Sequence, residues 1–134
     1  MKALSLLQPW ASAIMLGYKQ IETRSWRTDY RGRIAIHASK RFTKDDWEFM
    51  QHEHSIGNLY PPGLPLGAII GLATIVSCER TEYWRPLISE LEDSYGDYSN
   101  GRWGWKLAEI EPFEKPIPCK GSLGLWTVPE GLLE

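Results

Sequence analysis

Gly17-Tyr18-Lys19-Gln20-Ile21-Glu22-Thr23-Arg24-Ser25-Trp26 is the stretch on which the reading of this chain turns. Before it, Trp10, Ala13 and Ile14, with Ala11 and Met15, make one apolar helical stripe, opened by Pro9 at a first helical position and ended by Gly17. From Gln20 to Trp26 the period changes to two: Ile21, Thr23 and Ser25 fall on one side, Glu22, Arg24 and Trp26 on the other. The unit is therefore a short helix, a glycine stop and a strand. Ala3 to Leu6 reads as a strand ahead of it. A turn around Thr28 to Tyr30 leads to a further strand, Gly32 to Ala38.

Working outward, Thr43 followed by Asp45 and Asp46 marks a helix start, because a hydroxyl cap and first-turn acids satisfy exposed amide donors; Trp47 and Met50 then face the core. Tyr60-Pro61-Pro62-Gly63-Leu64-Pro65 breaks both helix and central strand. Gly67 to Glu79, rich in Ile, Val and Ala, is expected to be the longest buried strand. Tyr83 to Asp93 fits a helix after Pro86, Tyr95 to Gly101 a loop, Trp103 to Ile110 a strand with both tryptophans on one side, and Gly124 to Val128 a last strand. The expected architecture is α+β: a small, mostly antiparallel β-barrel with two or three short helices, one domain over residues 1–134.

Composition narrows the function. No apolar stretch reaches the ~20 residues of a membrane helix and no signal segment opens the chain, so a soluble, cytoplasmic protein without membrane contact is expected, as a monomer. Cys78 and Cys119 stand apart without a CxxC partner and read as reduced thiols. His52 and His54 flank Glu53 with no third ligand, so no metal is assigned, and the absence of a Gly-rich phosphate loop or dinucleotide fingerprint argues against a cofactor. The net charge is −2, yet Lys19 to Lys44 holds eight Lys and Arg against Glu22 and Asp29, a local +6 able to draw phosphate to one place.

Within that segment Lys19, Glu22, Arg24 and Trp26 form the densest constellation. On a cleft wall they offer a carboxylate acceptor, two cations and a stacking ring, which suits a nucleotide. The residues alone support equally an internal ion network in which Arg24 neutralises Glu22.

The runs Leu4-Ser5-Leu6-Leu7-Gln8-Pro9-Trp10-Ala11-Ser12 and Gly17 to Trp26 resemble the opening of the ASCH domain of the PUA-like superfamily, whose hallmark GxKxxExR is met by Gly17, Lys19, Glu22 and Arg24. Tyr30-Arg31-Gly32-Arg33, Ile36-His37-Ala38, Gly101-Arg102-Trp103-Gly104-Trp105 and Gly121-Ser122-Leu123-Gly124-Leu125-Trp126 extend the resemblance over nearly the whole chain. It implies a barrel with a cleft beside the first helix and a role in binding RNA, single-stranded DNA or a nucleotide or nucleoside. The expected ligand-binding set is Gln8, Trp10, Lys19, Glu22, Arg24, Trp26, Arg31, Arg33, His37 and Lys40.

Similar small proteins hydrolyse N4-acetylcytidine, using a lysine and a threonine three positions later, and others are described as ribonucleases. Here Glu22 stands where that threonine would be, and Thr23 belongs to the opposite strand face. In a hydrolase reading Lys19 and Glu22 would be the catalytic pair, with His37 beside them. Arg41 and Arg102 are placed for phosphate contact or solvation. Of the seven tryptophans, Trp10 and Trp26 are read as stacking surfaces and Trp47, Trp105 and Trp126 as core, while Trp84 and Trp103 have no assigned place.

Overall fold

The computed structural model describes residues 1–46, 48 and 64–133, and in them six strands make one mixed sheet. The strands are β1 (Lys2–Leu6), β2 (Ile21–Arg24), β3 (Gly32–Ala38), β4 (Ala68–Arg80), β5 (Trp103–Pro118) and β6 (Leu125–Thr127), in the spatial order β2-β5-β4-β3-β1-β6. Only β1 and β3 run parallel; every other neighbouring pair is antiparallel. Register shifts on both sides of β4 curl the sheet into a half-barrel, Glu109 taking a positive φ at one of them. Among the described residues, short helices accompany it, including α1 (Trp10–Met15), α2 (Thr81–Trp84) and α3 (Glu90–Ser94).

Both sheet faces are covered. Leu4, Leu6, Ile34 and Ile36 point to the side on which Ala11, Ile14 and Met15 of α1 pack, together with the fully buried Trp105. The alternate residues Ala3 and Ala35 join Ile69 and Val128 on the other side, closed by Trp126, Leu132 and Leu133. This alternation is what a sheet buried on two faces requires. Among the described residues no helix is long and apolar enough to cross a membrane.

The join between α1 and β2 follows from its residues. Gln8 caps the helix, its Oε1 accepting from Ser12 N at 3.0 Å while its amide donates to Ser12 Oγ and Pro65 O. Pro9 stands at the N-cap, one position earlier than its sequence reading. At the other end Gly17, at φ +83, permits paired closing bonds, Gly17 N to Ile14 O and Tyr18 N to Ala13 O. Lys19 N also donates to Ala13 O, which turns the lysine inward before β2 begins.

Several boundaries differ from expectation. β2 ends at Arg24, not Trp26, and β5 rather than β4 is the longest strand, at 16 residues. Pro112, Pro116 and Pro118 argue against a strand in sequence, but β2 pairs only with residues 103–106 of β5. The rest of β5 is thus an edge, where a missing amide donor costs little. The expected helix over Tyr83 to Asp93 is three pieces, α2, a 3₁₀ turn at Arg85–Leu87 and α3, with Ser89 capping the last. Thr43 and Asp46 exchange the two bonds of a capping box, as the helix-start reading requires. Trp47, Met50, the His52 to His54 run and Tyr60 to Gly63 lie outside the described residues.

Candidate functional site

Two hollows adjoin along the end of β1. The first, of about 520 Å³, is walled by Trp10 of α1, Glu22, Thr23 and Arg24 of β2, and the loop from Ser94 to Asp97, with Arg102 at its rim. The second, of about 910 Å³, lies between the segment after β3 (Ser39, Lys40, Arg41) and the loop from Cys119 to Gly124. Ser5, Leu6, Leu7 and Arg24 line both, so the two make one continuous cleft with Arg24 at its waist.

Lys19 is not on the surface of this cleft. It is 1% exposed, and its Nζ donates to Ile21 O and Tyr95 O, each at 2.8 Å, and lies 3.3 Å from Glu22 Oε1. Two of its protons go to these carbonyls and its charge faces the Glu22 carboxylate. Glu22 takes the lysine on one oxygen and Arg24 Nε on the other at 2.8 Å, and Arg24 Nη2 donates to Ser5 O at 2.8 Å. The Lys19–Glu22–Arg24 chain therefore combines the two readings left open in sequence. Its inner end is a buried ion pair tying β2 to the 95–97 loop, and its outer end, Glu22 and Arg24, faces the cleft.

Glu92 of α3 holds the start of β2 from outside, accepting from Gln20 N at 2.7 Å and Ile21 N at 3.4 Å. Burial raises its pKa against the lowering effect of those bonds and of Lys19. Thr23 Oγ1 accepts from Asp97 N, turning the hydroxyl to the loop rather than to Lys19. Asp97 is bonded by Ser99 N and Oγ, which lower its pKa and keep a carboxylate at the rim beside Arg102. Buried Tyr98, whose hydroxyl lacks a hydrogen-bond partner among the described residues, is pushed well above the phenol range by desolvation and then by Glu92, Asp93 and Glu22.

The second hollow has a different character. Arg24, Lys40, Arg41 and Lys120 line it, with no carboxylate among the described residues of its wall. In its wall His37 Nε2 donates to Cys119 O at 2.7 Å, so Nδ1 accepts from the Ser5 hydroxyl at 3.0 Å, while Trp126 Nε1 donates to Ser5 Oγ. Gly121 lies directly on this pair: a Cβ there would fall 2.6 Å from both His37 Cε1 and Ser5 Oγ.

Of the expected ligand set, Trp10, Glu22, Arg24, His37 and Lys40 line the cleft. The others do not. Gln8 is fully buried in its capping role. Trp26, past the end of β2, sets its ring edge-on to Trp105 at 4.7 Å. Arg31 closes its own turn on Thr28 O and Tyr30 O. Arg33 reaches across β4 to β5, meeting Thr74, Glu109 O and Glu111. Trp126 is half-buried against His37 rather than in the deep core, and Trp84 donates to Gly104 O where a glycine leaves room for its ring. Sequence reasoning missed Asp97, Lys120 and Ser122; the loops YGDYSNG and KGSLG were visible, but not that they close on β2 and β1.

Among the described residues no group of His, Cys, Asp and Glu is arranged to hold a metal ion. Compared with known proteins, residues 4–117 match the family model described as the ASCH domain. The chain is 32% identical over 128 residues to mouse activating signal cointegrator 1 and 31% identical over 99 residues to the human protein, covering 92% and 68% of this chain. It spans only about a fifth of those relatives, 21% and 17% of their lengths. Its fold is similar to the crystal structure of ASCH from Zymomonas mobilis, with a TM-score of 0.53 and 21% identity over 87% of this chain and 72% of that one. A variant of the same bacterial protein superposes with a TM-score of 0.52 at 19% identity, over 87% and 74% of the chains. By its sequence match and by its fold, the chain belongs to the ASCH domain family.

Proposed function

We propose that this domain binds a single strand of RNA or DNA, seating one base in the first hollow and the adjoining phosphates in the second. The observation that carries this reading is the contrast between two hollows that share Arg24. The first joins an indole, the carboxylates of Glu22 and Asp97 and loop backbone, which suits the flat face and the N–H edge of a base. The second presents Lys40, Arg41 and Lys120 with no acid among its lining residues, which suits phosphate. Arg24, whose Nε and Nη2 are held by Glu22 and Ser5, stands where sugar and phosphate would pass from one to the other. Family membership agrees with nucleic-acid recognition. A hydrolase centred on Lys19 finds less support, since its ammonium meets two carbonyls and a carboxylate and no hydroxyl.

The test is titration of short oligonucleotides over a series of salt concentrations, following tryptophan emission. Binding should weaken as salt rises, and the Lys40→Gln/Lys120→Gln double variant should lower the slope of log affinity against log salt by about 1.4, at ~0.7 for each single-strand phosphate contact. Absent binding, or affinity indifferent to salt, overturns the reading.

A further inference from the structure

Beside Arg24 in the register of the sheet, Trp103 has two guanidinium groups near its ring. The Arg80 carbon sits 4.7 Å and the Arg27 carbon 5.5 Å from its ring centroid, both within the range of cation–π contact. Arg24, Trp103 and Arg80 are register partners on the adjacent strands β2, β5 and β4. Directly paired residues share a face, so the three form a row across the sheet that starts at the waist of the cleft.

A core tryptophan needs no such arrangement. Two cations on one ring repel each other, and that repulsion is relieved unequally. Arg27 has Asp29 at 2.6 Å, an exposed pair open to competition by another anion, whereas exposed Arg80 has no carboxylate within ion-pair distance among the described residues. A charge cluster with an aromatic face, continuous with a cleft that suits a nucleotide, matches the way single strands are held: backbone tracked by cations and bases laid on rings.

Resting on the nucleic-acid reading above, we propose that Trp103 with Arg80 and Arg27 around its ring is a second contact for the bound strand. The full ligand is then a single-stranded segment of several nucleotides, running from the basic hollow past Arg24 to Trp103. A free nucleotide fills only the first part of this path.

The experiment compares thymidine oligomers of one, two, four and eight nucleotides, by competition against a labelled eight-mer, for the wild-type chain and the Arg27→Gln/Arg80→Gln variant. In the wild type, affinity should rise with length up to the eight-mer. The variant should bind mono- and dinucleotide within about twofold of wild type, lose roughly tenfold or more on the eight-mer, and show a salt slope smaller by about 1.4. An Arg27→Lys/Arg80→Lys variant, which keeps the charge, should restore most of the slope and guards against a folding defect. Wild-type binding that the glutamine variant leaves unchanged at every length overturns the inference and spares the cleft. No oligonucleotide binding by the wild type overturns the cleft reading itself. Tighter capture of an eight-residue poly-glutamate than of the oligonucleotide, lost in the same variant, would assign this contact to acidic protein segments and overturn the proposal.

Discussion

Replacing Lys19 by methionine separates a structural ion from a ligand contact. Methionine keeps most of the unbranched stem and deletes the ammonium, which removes the Nζ bonds to Ile21 O and Tyr95 O and one of the two cations on Glu22. An unsatisfied buried carbonyl costs ~1–3 kcal/mol, and breaking a buried pair ~3–5 kcal/mol. The terms overlap, because the same ammonium serves all three groups, and Glu22 retains Arg24 at 2.8 Å, so the low end applies. We expect a loss of about 3–4 kcal/mol out of the ~5–15 kcal/mol typical of a domain. At ~4 °C per kcal/mol for a chain of this length, the melting temperature should fall by roughly 12–16 °C. Urea unfolding followed by tryptophan emission measures the first quantity and a thermal melt the second. Oligonucleotide binding by the folded variant at low temperature should persist. A stability loss below ~1 kcal/mol combined with abolished binding would refute this reasoning and put the ammonium on the ligand.

Trp10→Ala should weaken oligonucleotide binding by ~1–3 kcal/mol, roughly 5- to 150-fold, whereas Trp26→Leu should leave mononucleotide affinity within about twofold; equal losses would return Trp26 to the cleft. Because burial raises the folded pKa of Glu92 above its ordinary 4.5, its contribution to stability is full below that pH and is lost as pH rises through the raised value. Urea midpoints should show the wild type losing ground to Glu92→Gln across that window and a constant difference above it; parallel curves throughout would count against the raised pKa. Tyr98→Phe removes a buried hydroxyl that lacks a partner among the described residues, so stability should hold or rise by up to ~1 kcal/mol, and a loss beyond ~1 kcal/mol would reveal a partner for that hydroxyl.

What sequence made legible was governed by short-range rules. The stripe ended by Gly17, the capping box at Thr43 and the bounds of β3 depend on residues a few positions apart, and they read through to the structure. The reach of β5 did not, because its prolines exclude a strand unless one knows that β2 covers only its first residues. The same division runs through the site. Alternation brought Glu22 and Arg24 to one face, but the burial of Lys19 depends on Tyr95 O, 76 residues away. Trp26 was carried along by a period that stops at Arg24, and Arg33 was captured by Glu111 across the sheet. Lys120 lines the basic hollow next to Cys119, which is tied through its carbonyl to His37 and through its N–H to Gly67 O, ties between distant segments that no local pattern announces.

The bare Gly121 against His37 and Ser5 has an engineering consequence. Any side chain there would displace the imidazole from below, so that position is closed to variation without repacking. Its neighbours Lys120, Ser122 and Leu123 line the same hollow from a loop that contributes nothing to the main core cluster, and Leu123 is 97% exposed. A library randomised at those three positions, with Gly121 held, should yield chains that fold alike and differ in affinity and in salt dependence rather than in the base they seat. The domain thereby divides into a fixed chassis and an exchangeable tip.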